Sequence, residues 1–191
     1  MKAMRSNEAT QSRKKSFTST SQKARLSSFA IAAASLFIPS QAIAEVIYDE
    51  HPAIANETNL PVYEWSDSDV RPRAAVLMLH GISQRAYTLR TLASSLASQG
   101  FVTYGMDLRG HGWWHKQEKC EDGYRCNYKA SQADVGTVLH AIKKENPGIP
   151  LYLLGESVGS AVALRAANDS PELLNGLVLC GAGSKAGRAN I

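Results

Sequence analysis

A serine set between two glycines, after an apolar run and before a small-residue helix, constrains this chain more than any other stretch. The run is Leu151-Tyr152-Leu153-Leu154, entered from Pro150, and it predicts a buried strand. Gly155-Glu156-Ser157-Val158-Gly159 makes the turn, and the residues from Ser160 to Asn168 read as a helix. A serine lifted on so sharp a turn has strained backbone angles. Side chains two positions before and after it would collide, and Gly155 and Gly159 remove them. The serine oxygen then stands above the sheet edge, where the first amides and the positive dipole end of the helix also point. The plain alternative is a strand-turn-helix with a chance serine; what lies upstream tells against it.

Upstream, strand and helix alternate. Ala74-Ala75-Val76-Leu77-Met78-Leu79 is apolar throughout and suits a strand buried on both faces. It ends at His80-Gly81-Ile82-Ser83. A helix is predicted from Ala86 to Gln99, with Leu89, Leu92, Ala93 and Leu96 on its inner face and Gly100 as its stop. Phe101 to Met106 is the next strand, closing on Asp107-Leu108-Arg109-Gly110-His111-Gly112. A long loop follows, and then a helix opening at Ser131, with Asp134 three residues on. Its inner face is Val135, Val138, Leu139 and Ile142, and Asn146-Pro147-Gly148 ends it. Gly176 to Cys180 is a further strand. Near the start, Val46–Tyr48 and Pro61–Trp65 read as a leading hairpin, linked through the turn-rich Asn56-Glu57-Thr58-Asn59.

Connections of this length exclude hairpins between the later strands. They predict an α/β fold, a mostly parallel sheet with helices on both faces. Sites in such sheets form at the carboxyl ends of strands. His80-Gly81, Asp107 onward and Ser157 all fall at such ends.

Residues 1–44 read as a secretory signal peptide. They hold seven basic residues and one acid, an apolar core from Phe29 to Ile38, the breaker Pro39, and Ala42-Ile43-Ala44 as a small-x-small cleavage site before Glu45. The expected location is periplasmic or secreted; the alternative is an inner-membrane anchor left uncleaved. The net charge of +4 comes from this leader. Beyond residue 44 fourteen basic and sixteen acidic residues remain, so no basic tract supports nucleic-acid binding. In an exported chain Cys120 and Cys126, in one polar loop, are a possible disulfide; two free thiols are the alternative. Cys180 ends an apolar run and reads as a buried thiol. No Cys or His pair makes a convincing zinc-ligand set, so no metal is expected.

Leu79-His80-Gly81-Ile82, Asp107-Leu108-Arg109-Gly110-His111-Gly112 and Gly155-Glu156-Ser157-Val158-Gly159, in this order and spacing, resemble the α/β-hydrolase superfamily. The likeness is to its monoacylglycerol lipase, lysophospholipase and serine aminopeptidase-like group, over residues 74–181 or so. The resemblance implies that Ser157 is a nucleophile. It implies an oxyanion hole from two backbone amides, Val158 and Ile82. It implies hydrolysis of small-molecule carboxylic esters, lipid-like ones such as monoacylglycerols or lysophospholipids best, through an acyl-serine, with possible lipid or membrane-surface contact. No metal or organic cofactor is implied. Two positions depart from the group. Ser160 stands where relatives carry a second glycine. Trp113-Trp114 replace a small polar residue; they either line an acyl-group entrance or pack the long loop.

The triad of this fold runs serine, acid, histidine. After Ser157 the sequence has only two acids, Asp169 and Glu172, and no histidine. Asp169 ends the helix after the serine, the wrong place for the acid. His80 is expected to shape the oxyanion loop, and His111 the loop after its strand. His51, His115 and His140 read as surface residues. The expectation is therefore a partial α/β-hydrolase domain over 45–191, incomplete at its C-terminal side and inactive as it stands. A non-catalytic exported remnant or binding module is the alternative.

Overall fold

The computed structural model describes residues 45–116 and 126–181. The expected leader lies outside them, and so does Cys120. Six strands form one sheet: β1 Val46–Asp49, β2 Val62–Asp67, β3 Ala74–Leu79, β4 Phe101–Met106, β5 Leu151–Glu156 and β6 Gly176–Cys180. Their spatial order is β1-β2-β4-β3-β5-β6. β1 and β2 pair antiparallel, and so do β2 and β4; β4, β3, β5 and β6 are parallel.

The alternation of strand and helix explains this order. β3 and β5 sit in the middle, and all six residues of β3 are buried, as its unbroken apolar run requires. Each fully buried Leu or Met there stabilises the fold by about 1.5–3 kcal/mol. α1 Ala53–Thr58, α4 Tyr128–Glu145 and α5 Val158–Asp169 cover one face, with Val138, Leu139 and Val162 packed on Leu77, Leu79 and Leu153. A 3₁₀ turn, Ala86–Leu89, runs into α2 Arg90–Ala97 on the other face, against Val76 and Met78. α3, Trp113–Lys116, is a single turn in the long loop, and a 3₁₀ turn at Pro171–Leu173 leads into β6.

Local expectations differ from the structure at five places. β1 and β2 are antiparallel neighbours, but α1 joins them; Asn56 to Thr58 are helical, and the turn comes at Asn59, with φ 55°. α2 opens as a 3₁₀ turn, which rotates its face so that Ala97 is buried and Leu92 is 41% exposed. α4 starts at Tyr128, three residues early, because the Asn127 side chain caps it by accepting from the Ala130 amide at 2.9 Å. Asp134 is not a capping acid; it pairs with Arg109 at 2.6 Å. Cys180 is exposed rather than buried. Among the described residues β6 pairs on one side only, and its Val178 and Leu179 are 45% and 38% exposed.

Candidate active site

The turn between β5 and α5 has the strain its sequence predicts. Ser157 sits at φ 52°, ψ −114°, a region that side chains rarely enter, and it is exposed. Its neighbours leave no room for anything larger. A Cβ on Gly155 would lie 2.5 Å from the Gly159 carbonyl oxygen. A Cβ on Gly159 would lie 2.5 Å and 2.6 Å from the carbonyl oxygens of Leu79 and His80. The second glycine therefore lets α5 rest directly on the end of β3. Braces come from the next strand: the Ser157 amide donates to the Cys180 carbonyl at 2.7 Å, and the Ser160 hydroxyl reaches the same oxygen at 3.1 Å. The same hydroxyl donates to the Gly155 carbonyl at 2.7 Å. The buried Ser160 hydroxyl is thus held between two backbone carbonyls.

The loop after β3 faces this turn. A Cβ on Gly81 would come within 3.4 Å of the Ser157 Cβ. The Gly81 amide donates to Gln84 Oε1 at 3.1 Å, and Gln84 Nε2 donates to Glu156 Oε1 at 3.3 Å. One glutamine side chain thereby ties the loop to the residue before the serine. The Ile82 amide has no hydrogen-bond partner among the described residues. Val158 opens α5, so its amide precedes the first bond of the helix ladder and is also unpaired. Gln84 and Glu156 carried no signal in the sequence beyond their positions beside the two loops.

Neither buried histidine is bonded to Ser157. His80 is fully buried; its Nε2 accepts from the Leu108 amide at 3.1 Å, which leaves the proton on Nδ1, 2.7 Å from the Gly81 carbonyl. Both ring nitrogens are occupied in bracing the loops, so His80 cannot serve as a base. Burial pushes its pKa below the ordinary 6.5. A group that is neutral when folded and free to protonate when unfolded stabilises the fold fully above about pH 6.5, and that contribution is lost as pH falls below it. In ring-nitrogen NMR we expect His80 as the neutral Nδ1–H tautomer at pH 6.5, titrating only below it. A titration midpoint at or above that pH would contradict the assignment. His111 is 7% exposed and is held among Cys126, Tyr128 and His80. His51, His115 and His140 are exposed, as expected.

Asp107 organises what surrounds the site. Its buried carboxylate accepts from the Ala86 amide at 2.7 Å, the Trp113 amide at 2.7 Å and the Tyr63 hydroxyl at 3.0 Å. Gly112 crosses over it at φ 52°, where a Cβ would meet the carboxylate at 2.1 Å. The two tryptophans part company. Trp114 is buried, donates to the Asp107 carbonyl at 3.1 Å and lies 3.8 Å beneath the Arg109 guanidinium, so it packs the loop. Trp113 is 39% exposed and borders a cavity of about 410 Å³ with Tyr48, Tyr63 and Tyr87; neither Ser157 nor Ile82 lines that cavity. Among the described residues no group of three His, Cys, Asp or Glu side chains could hold a metal ion.

Residues 70–189 match a family model described as serine aminopeptidase, S33. The chain belongs to this family of α/β hydrolases. Among its relatives, the monoglyceride lipase homolog of Monkeypox virus is 30% identical over 108 residues, 56% of this chain and 38% of that protein. Mouse monoglyceride lipase is 26% identical over 143 residues, 74% of this chain and 46% of the lipase. In three dimensions the chain is similar to a thermostable carboxyl esterase from Bacillus coagulans, with a TM-score of 0.54 and 25% identity over 63% of this chain and 39% of the esterase. The chain spans less than half the length of these relatives.

Proposed function

We propose that Ser157 is the nucleophile of an ester hydrolase acting on small lipid-like carboxylic esters through an acyl-serine. The observation that carries this is the strained, exposed Ser157 at the start of α5, set against Gly81 in the loop after β3. Relatives that are monoglyceride lipases and a carboxyl esterase support the ester class. In the proposed step Ser157 Oγ attacks the acyl carbon, and the carbonyl oxygen becomes anionic beside the unpaired amides of Ile82 and Val158. An amide placed there contributes about 3–4 kcal/mol to the transition state. The chemistry also requires a histidine to take the serine proton and an acid to orient it. No histidine follows Ser157 in the 191 residues, and His80 is locked in the fold. Turnover therefore needs a histidine and an acid besides Ser157.

Free imidazole can act as the base in a test of Ser157. With an activated ester such as a p-nitrophenyl ester, imidazole takes the proton, Ser157 Oγ bonds the acyl carbon and p-nitrophenolate leaves. Peptide mass spectrometry should find the acyl group on Ser157, increasing with imidazole concentration and absent in Ser157→Ala. Equal acylation of that peptide in the variant would remove Ser157 from the account. A second reading is a non-catalytic binding module. Failure of Ser157 to acylate at any imidazole concentration, in a chain that unfolds cooperatively, selects it.

A further inference from the structure

The loop after β4 carries a second nucleophile with a base beside it. Cys126 Sγ lies 3.2 Å from His111 Nε2, and the Tyr128 hydroxyl lies 3.3 Å from the same nitrogen. The imidazole is fixed from two sides: His80 meets its ring edge-on at 5.1 Å between centroids, and Tyr128 stacks on it at 6.1 Å. Cys126 itself is exposed. The thiol and imidazole border an open groove of about 690 Å³, together with His115, Gly110 and Ile82. That volume is within the range that takes small ligands. A thiol within hydrogen-bond reach of a fixed imidazole has the arrangement of an activated nucleophile.

We propose that Cys126 is a thiol–disulfide exchange site, assisted by His111, for low-molecular-mass disulfides that enter this groove. His111 Nε2 takes the thiol proton, and the sulfur attacks one sulfur of the incoming disulfide. The S–S bond of that molecule breaks as the Cys126 mixed disulfide forms. The departing thiolate leaves as a thiol with the proton from His111. Cys126 is oxidised and one half of the small disulfide is reduced, so no other reactant is needed. The groups facing His111 act in opposite senses. Burial and His115 disfavour its charged form, and Asp107 favours it. Its neighbours Tyr128 and His80 supply a phenol and a neutral ring edge. The mixed disulfide would fill the groove that Ile82 borders. The proposal does not depend on any role for Ser157.

Cys180 provides the internal control, being free and exposed on β6, with no imidazole partner among the described residues. The test uses the full chain carrying Cys120→Ser, reduced and then exposed to oxidised glutathione. Near pH 6 an unassisted thiol is almost wholly protonated, so assistance by a base is most visible. Mass spectrometry of the two cysteine peptides should show the mixed disulfide forming at Cys126 about fivefold or more faster than at Cys180. In His111→Gln the ratio should fall to about one with the Cys180 rate unchanged. Equal rates in the parent chain, or a ratio unmoved by His111→Gln, overturns the proposal. Since His111 is buried and its replacement risks unfolding, the ratio is also measured in concentrated guanidinium, where it must collapse. A ratio that survives denaturation comes from local sequence alone and equally overturns it.

Discussion

Gly159→Ala should cost the chain about 3 kcal/mol or more, read as a drop in its urea midpoint or as failure to fold. The added methyl meets backbone and not a movable side chain: the carbonyl oxygens of Leu79 and His80 would lie 2.5 Å and 2.6 Å away. To make room α5 must lift from the end of β3, and Val162, Ala163 and Ala166 leave the core with it. Gly136, in the middle of α4, is the counterpart. A Cβ there meets nothing within 4 Å. Since alanine is the better helix former, Gly136→Ala should raise stability by up to about 1 kcal/mol. The same substitution thus changes sign between two helices. If both variants shift the midpoint alike, the close approach of α5 to β3 is wrong.

The second large effect belongs to Asp107. Replacing it with alanine leaves three donors, the amides of Ala86 and Trp113 and the hydroxyl of Tyr63, without their shared acceptor. Each abandoned donor costs about 1–3 kcal/mol, so the total expected is about 3–5 kcal/mol after partial relaxation. A double-mutant cycle separates this from ordinary packing. Gly112→Ala collides with the carboxylate in the parent chain, and that collision disappears once Asp107 is alanine. The Gly112→Ala penalty should therefore shrink in the Asp107→Ala background, leaving the cost of φ 52° alone. Strictly additive penalties would show that the loop does not rest on this carboxylate.

The sheet was legible because its central strands carry their own signal. An apolar run such as Ala74–Leu79 has one physical outcome, burial on both faces, and the glycines around Ser157 follow from strain that any serine at such a turn must bear. What the sequence hid is set by partners distant in the chain. Asn127 caps α4, whereas the Ser131 hydroxyl accepts the amide of Arg109, twenty-two residues before it, at 2.9 Å. Cys180 looked buried because its run is apolar, yet burial depends on what lies beside an edge strand. Trp113 and Trp114 are adjacent and chemically identical; both bond Asp107, Trp113 through its backbone amide, but the buried indole is that of Trp114, which reaches the Asp107 carbonyl and lies under the Arg109 guanidinium. Gln84 was silent for the same reason, since a surface-looking amide declares its role only when Gly81 and Glu156 stand on either side of it.

The braces from Cys180 to Ser157 and Ser160 have a consequence for the order of folding. Ser157 is synthesised before the strand whose carbonyl holds its amide. Until β6 docks beside β5, the strained turn lacks that restraint, and the chain is free to relax it. The serine's final shape is thus a late event, reached only after the strand that follows it in sequence has found its place. On a growing chain the turn would remain unfinished until Cys180 had emerged and paired.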